Sequence, residues 1–225
     1  MNILCISPIF SPMADSEAYC GAKMAIALQN HGANVSVLSM GLSHPTTGNK
    51  VDDSKLWREA SKMIIEVTVP STHRSLASLW LGFRFQTVAY ARWVGAMVER
   101  ARELHSETPF DIVYSRSLPM VAHIAGYWVS KSIGRPWVAN IVANINDPWD
   151  YHLFPNGQAR EVPRIEAAFS MHWLKKTLKY ADLITYPSSR LLNFTSILGR
   201  GEPRGEVIPH IGYTCRDQEP ADVFF

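Results

Sequence analysis

A short, mostly apolar run, Asn2-Ile-Leu-Cys-Ile6, ends just before a proline at position 8, and Asn34-Val-Ser-Val-Leu-Ser39 alternates apolar and polar positions as a strand does. Between them Ala22, Met24, Ala25, Ala27, Leu28 and His31 recur at helical spacing, and Gly32 falls where a left-handed residue closes a helix. These pieces predict a βαβ unit whose helix opens at about Gly21. The pattern returns as Phe110-Asp-Ile-Val-Tyr-Ser115, a helix from about Met120 to Ile133 closed by Gly134, and the run Pro136 to Val142. Further on come a helix through Ile165, Phe169, Trp173 and Leu178, a strand from Asp182 to Tyr186, a helix over 188–198, and a strand from Glu206 to Pro209. Strands alternating with helices predict an α/β fold: a Rossmann-like, mostly parallel sheet with helices on both faces.

Two segments depart from that rhythm. Residues 43–62 are polar until Leu56 and Trp57, and are read as a surface excursion. From Leu76 to Leu104 apolar residues keep helical spacing, with Arg84, Arg92, Arg100 and Arg102 among them, which predicts one long helix or two abutting ones. Aromatic residues such as Trp80, Phe83 and Trp93 beside these arginines fit peripheral contact with an anionic membrane surface, but the same stripe fits a core or a domain interface.

Composition narrows the picture. With 225 residues, 47% of them hydrophobic, the chain can fill one sizeable core. A formal charge of +2 gives no reason to expect a nucleic-acid partner. Three cysteines, Cys5, Cys20 and Cys215, are odd in number and lack CxxC spacing, which suits a reducing, cytoplasmic compartment. The amino terminus has no basic region ahead of its apolar run, and nowhere do about 18 uncharged apolar residues follow one another, so neither a signal peptide nor a membrane span is expected.

Candidate chemistry collects after the predicted strands, where open α/β sheets bind ligands. Gly21, preceded by Cys20, stands at the expected helix start, where unpaired amides favour a phosphate; the plain alternative is a glycine that eases a tight turn. Ser115 and Arg116 follow the strand at 110, and a guanidinium there can fork onto a phosphate or carboxylate or simply lie solvated. The polar stretch Asn144 to His152, with Asp147, trails the next strand; its acids and histidine lack metal-ligand spacing, and no metal is expected. His123 reads as a packing residue. No nucleophile elbow, P-loop or catalytic triad order is present, and the glycine fingerprint of a dinucleotide site is incomplete.

Taken in order, the opening strand, Cys20-Gly21, His31-Gly-Ala-Asn-Val-Ser-Val, Phe110-Asp-Ile-Val-Tyr-Ser-Arg-Ser, Gly134-Arg-Pro-Trp-Val-Ala, Asp147-Pro-Trp, Ala181-Asp-Leu-Ile-Thr and Val207-Ile-Pro-His-Ile-Gly resemble the amino-terminal, acceptor-side domain of GT-B glycosyltransferases of family four. The resemblance runs from residue 2 to about 213. It implies one half of a GT-B fold over 1–213, with 214–225 a tail or the start of an interdomain linker. The activity implied is retaining transfer of a sugar from a nucleotide-sugar co-substrate, without a further cofactor, to a carbohydrate or lipid-linked acceptor.

Carried over by position, Gly21, Cys20 and Ser115 would contact donor phosphate or acceptor, and Arg116 and Asp147 would stand at the reacting centre, Asp147 touching the acceptor. The family usually shows two adjacent glycines where this chain has Cys20-Gly21, and often a histidine where it has Arg116. The donor-binding carboxy-terminal domain of that family has no counterpart in the 12 residues after Tyr213, so this chain alone is expected to be inactive. A non-catalytic sugar- or nucleotide-binding module, or an inactive remnant of the same fold, is the alternative.

Overall fold

The computed structural model describes residues 1–13, 16–40, 55–67, 91–117, 120–142, 151–153, 159–161, 164–199 and 205–210. In chain order these form β1 (Asn2–Ile6), α1 (Ser16–Asn30), β2 (Asn34–Ser39), α2 (Lys55–Ala60), a 3-10 turn (Ser61–Met63), β3 (Ile64–Glu66), α3 (Ala91–Glu107), β4 (Ile112–Arg116), α4 (Val121–Ile133), β5 (Trp137–Asn140), β6 (Tyr151–Leu153), β7 (Ala159–Glu161), α5 (Arg164–Tyr180), β8 (Leu183–Tyr186), α6 (Ser189–Gly199) and β9 (Glu206–Val207). Seven strands make one parallel sheet in the order β3-β2-β1-β4-β5-β8-β9, while β6 and β7 pair antiparallel as a separate hairpin.

β1 lies at the centre, with Ile3 in register with Val35 of β2 on one side and Ile112 of β4 on the other. From β1 the chain steps outward through β2 and β3 and then returns to the other side of β1 with β4. The reversal leaves a crevice at the carboxyl ends of β1 and β4, the place where doubly wound sheets hold ligands.

Alternate residues of the central strands go to opposite layers, as the pleat requires. Leu4 and Ile6 of β1, Val113 of β4 and Ile184 of β8 join a core with Trp93 and Met97 of α3, Val121 and Val129 of α4, and Leu174 of α5. Ile3 and Cys5 of β1, with Val35 and Val37 of β2, pack instead against Ala22 and Ile26 of α1 and Leu56 and Ala60 of α2. Burial on both faces explains why β1 reads as an unbroken apolar run. Trp93 and Trp137, both 1% exposed, are the largest fully buried side chains in the main core, and burying such a ring is worth roughly 1.5–3 kcal/mol or more.

Two helix ends match their sequence signals. Gly134 after α4 has φ +65° and donates to the carbonyl of Ser130, and Gly32 after α1 has φ +85° and donates to Gln29 at 2.9 Å. The start of α1 does not match. It opens at Ser16, five residues ahead of Gly21, because Ser16, Glu17, Ala18 and Tyr19 extend the helix toward the loop after β1. Of the long amphipathic stretch, α3 covers 91–107, and Trp93 faces the core rather than a surface; residues 76–90 lie outside the described ones, as do 211–225 with the expected tail. Within the expected surface excursion, α2 puts Leu56 and Ala60 into the second core. Among the described residues no helix is long and apolar enough to cross a membrane.

Candidate functional site

Arg116 ends β4 rather than following it, since the strand starts two residues and ends one residue later than its apolar pattern indicates. Its guanidinium is 4% exposed. Nη1 donates to Asn140 Oδ1 at 2.7 Å and Nη2 to Glu17 Oε2 at 3.1 Å, while Nε is buried without a partner. Asn140, the last residue of β5, passes the connection on, its Nδ2 donating to Thr185 Oγ1 of β8 at 2.8 Å. Each of these residues sits one position from a core-facing neighbour in its strand. The pleat therefore turns Arg116, Asn140 and Thr185 to the α1 side of the sheet, in adjacent strands at one level.

The buried charge is neutralised by Glu17 from the first turn of α1, itself a favourable place for a carboxylate at the positive end of a helix. Such a pair costs desolvation that its attraction must offset, so its value lies in fixing the guanidinium. Tyr114, two residues back, reaches the same neighbourhood. Burial pushes its phenol above the usual tyrosine range, and the adjacent Arg116 opposes that rise.

Beside Arg116 a recess opens to solvent, lined by Cys20 and Met24 of α1, Asn140 and Val142 of the β5 edge, and Ile208 and His210 beyond β9. Cys20 and Met24 are four apart and therefore share one face of α1. His210 is exposed, and its imidazole is held below the ordinary histidine range by partial burial first, then by repulsion from Arg116 and Lys23. The lining therefore combines polar groups, Arg116, Asn140 and His210, with the apolar Met24, Val142 and Ile208.

The residues expected from sequence do not all meet there. Arg116 and Cys20 do. Gly21 lies in the second turn of α1, past the unpaired amides of the helix start, so the phosphate argument from a helix opening does not apply to it. A side chain there would come within 3.2 Å of Phe10 Cδ2 and 3.3 Å of Ser7 Oγ, so the glycine allows the post-β1 turn to pack on the helix.

Ser115 points to the other face of the sheet and is fully buried. Its Oγ accepts from Trp137 Nε1 at 2.7 Å and lies 2.8 Å from His123 Nδ1, a packing polar group beneath the site rather than a ligand contact. Gly126 of α4 makes room for this cluster, since a Cβ there would fall 2.6 Å from Trp137 Nε1. His123 is indeed a core residue. Asp147 lies outside the described residues, and among those that are described no three metal-ligating side chains converge.

Asn140 and His210 were not among the sequence candidates. Position at a strand's end could have flagged Asn140. His210 reaches the recess from nearly the other end of the chain, and no local pattern announces that.

No protein-family model matches the sequence, and no curated protein matches it significantly. Solved structures do resemble it. HepE from Anabaena, in complex with UDP and glucose, shares 15% identity with a TM-score of 0.55 over 93% of this chain and 44% of its own. A sucrose-phosphate synthase from Thermosynechococcus elongatus shares 13%, with a TM-score of 0.52 over 96% of this chain and 91% of that one. UGT2 of Phytolacca americana, complexed with UDP-2fluoro-glucose and pterostilbene, shares 11%, with a TM-score of 0.52 over 92% of this chain and 52% of that one. The chain thus spans less than half the length of HepE and about half that of UGT2. At such identities the likeness defines the fold alone: an α/β, Rossmann-like parallel sheet with helices on both faces, corresponding to one half of a GT-B architecture.

Proposed function

We propose that this chain is the acceptor-side half of a retaining glycosyltransferase that uses a nucleotide sugar as co-substrate and needs no further cofactor. The observation that carries the reading is the recess at the carboxyl ends of β4 and β5, beside α1. There Arg116 is locked by Asn140 and Glu17 beside an open, partly apolar floor, on a fold shared with sugar-nucleotide proteins. In this reading Arg116 orients the acceptor, Cys20 and Met24 wall one side of the sugar, and Asp147 contacts an acceptor hydroxyl. The donor nucleotide is bound by a second wall facing this one.

The test is nuclear magnetic resonance of the chain titrated with mono- and disaccharides, sugar phosphates, UDP and UDP-glucose. Carbohydrates should shift the amides of Cys20, Asn140 and His210 and leave Trp128, exposed on α4, unmoved. If none of these compounds moves the recess residues, the reading fails. If UDP moves them and no carbohydrate does, the alternative of a nucleotide-binding module replaces it.

A further inference from the structure

We propose that the outer face shared by α4 and α5 is a docking surface for an anionic lipid bilayer. The inference is independent of the acceptor-side reading, because this face belongs to the helical layer that covers the opposite side of the sheet from α1 and the recess.

Large rings stand exposed there. Trp128 of α4 is 47% exposed and Tyr180, at the end of α5, is 42% exposed. Tyr127 joins them, its ring centroid 5.1 Å from that of Trp128 and 5.7 Å from that of Tyr180, so the three rings form one strip across the junction of the two helices. Behind the strip, Tyr127 also meets Trp173 at 5.9 Å and Trp137 at 6.1 Å, both buried. The exposed rings are therefore seated on the core and ordered before any partner arrives.

Lysines share the surface. Lys176 Nζ lies 5.2 Å from the Tyr127 ring centroid and 4.5 Å from that of Trp173, and Lys179 Nζ lies 5.1 Å from that of Tyr180. Lys131, three positions after Trp128 and four after Tyr127, extends the same face of α4. Residues 121–135 and 168–181 together hold five cations and no acid, whereas the whole chain has a net charge of only +2, so positive charge is concentrated on these two helices. Asp182, the first acid after α5, accepts from the backbone amide of Trp137 through Oδ2 at 2.7 Å. Among the described residues, Lys131 and Lys176 have no carboxylate partner.

Rings and charges together select the occupant. Tryptophan and tyrosine settle at the level of lipid headgroups, and lysine stems lie along apolar surface while their ammonium groups reach phosphate. An anionic bilayer meets both requirements in one plane. An acidic chain offers the lysines a partner but gives the rings no apolar layer to enter.

The test is sedimentation of the 225-residue chain with vesicles of phosphatidylcholine alone and of phosphatidylcholine mixed with phosphatidylglycerol, at low and at raised salt. The chain should partition onto the mixed vesicles, stay in solution with the neutral ones, and be released as salt rises. Lys131→Gln and Lys179→Gln should each weaken partitioning about fivefold, and Trp128→Ser at least as much. Lys62→Gln, in the turn after α2 and so on the other helical layer, should leave it unchanged. All four side chains are exposed, so denaturation midpoints should stay in place and a loss of binding is not a loss of fold. Failure to sediment with the mixed vesicles, partitioning that ignores lipid charge, or partitioning that survives unchanged in Trp128→Ser and Lys131→Gln overturns the inference. Retention on immobilised poly-glutamate without vesicle binding would assign the face to an acidic protein partner and overturn it as well.

Discussion

His123 and Arg116 lie seven positions apart and solve opposite problems with a polar group inside the fold. Arg116 stays charged at 4% exposure because Asn140 and Glu17 meet it. His123 stays neutral, because full burial with Nε2 unpartnered lowers its pKa from 6.5 to about 3. The unfolded chain therefore takes up this proton before the folded one does. Above about pH 7 the group leaves stability unchanged. As the pH falls through 6.5 toward 3, it removes up to about 1.4 kcal/mol per pH unit. Urea denaturation at pH 7 and pH 5 should show a larger loss for the wild-type chain than for His123→Gln. Equal losses would mean that the ring is not held neutral. Sequence spacing was enough to identify His123 as a packing residue and to bring Arg116 to the carboxyl edge of the sheet, since both judgements depend on distance from a strand's end. It did not resolve the surroundings of Ser115, because β4 ends one residue later than its apolar run suggests and only the pleat decides which face each side chain takes.

Among the elements, the parallel strands and their covering helices were legible because each apolar run is long enough to show its period and is closed by glycine or proline. β3, β6 and β7 were not. Each is three residues long, shorter than any periodicity can register. β9, only two residues, is the element whose placement matters most to the recess, since Ile208 and His210 follow it directly. Its docking depends on Gly205, which has φ +131° and brings the chain so close to β8 that a Cβ would lie 2.5 Å from the carbonyl oxygen of Ile184. Gly134, also left-handed at φ +65°, has nothing within 4 Å of the corresponding position. Gly134→Ala should then cost about 1 kcal/mol of conformational strain, and Gly205→Ala about 1–3 kcal/mol more, through overlap with β8. Chemical denaturation of the two variants checks the order. Equal costs would show that β9 does not seat as closely as described.

At the level of the whole molecule, the seven-stranded sheet with its recess forms, among the described residues, one wall of a cleft. Glycosyl transfer requires the acceptor hydroxyl and the donor's leaving phosphate to be held in register, and such positioning can be worth about 7–11 kcal/mol of barrier. We therefore predict that the 225-residue chain binds sugars but sustains no release of nucleoside diphosphate from nucleotide sugars over hours. Continued multiple-turnover release would overturn its assignment as a half-site. The sheet itself carries a different consequence. Its ladders are longest at β1, which pairs through five positions with β2, and shortest at the rims, where β3 and β9 offer three and two residues. Beyond β9, Ile208 spends its amide on Tyr186 and Pro209 has none to give. Among the described residues, a neighbouring chain approaching either rim meets only these short strands on which to prolong the ladder, which guards a protein rich in apolar strands against edge-to-edge aggregation in a crowded solution.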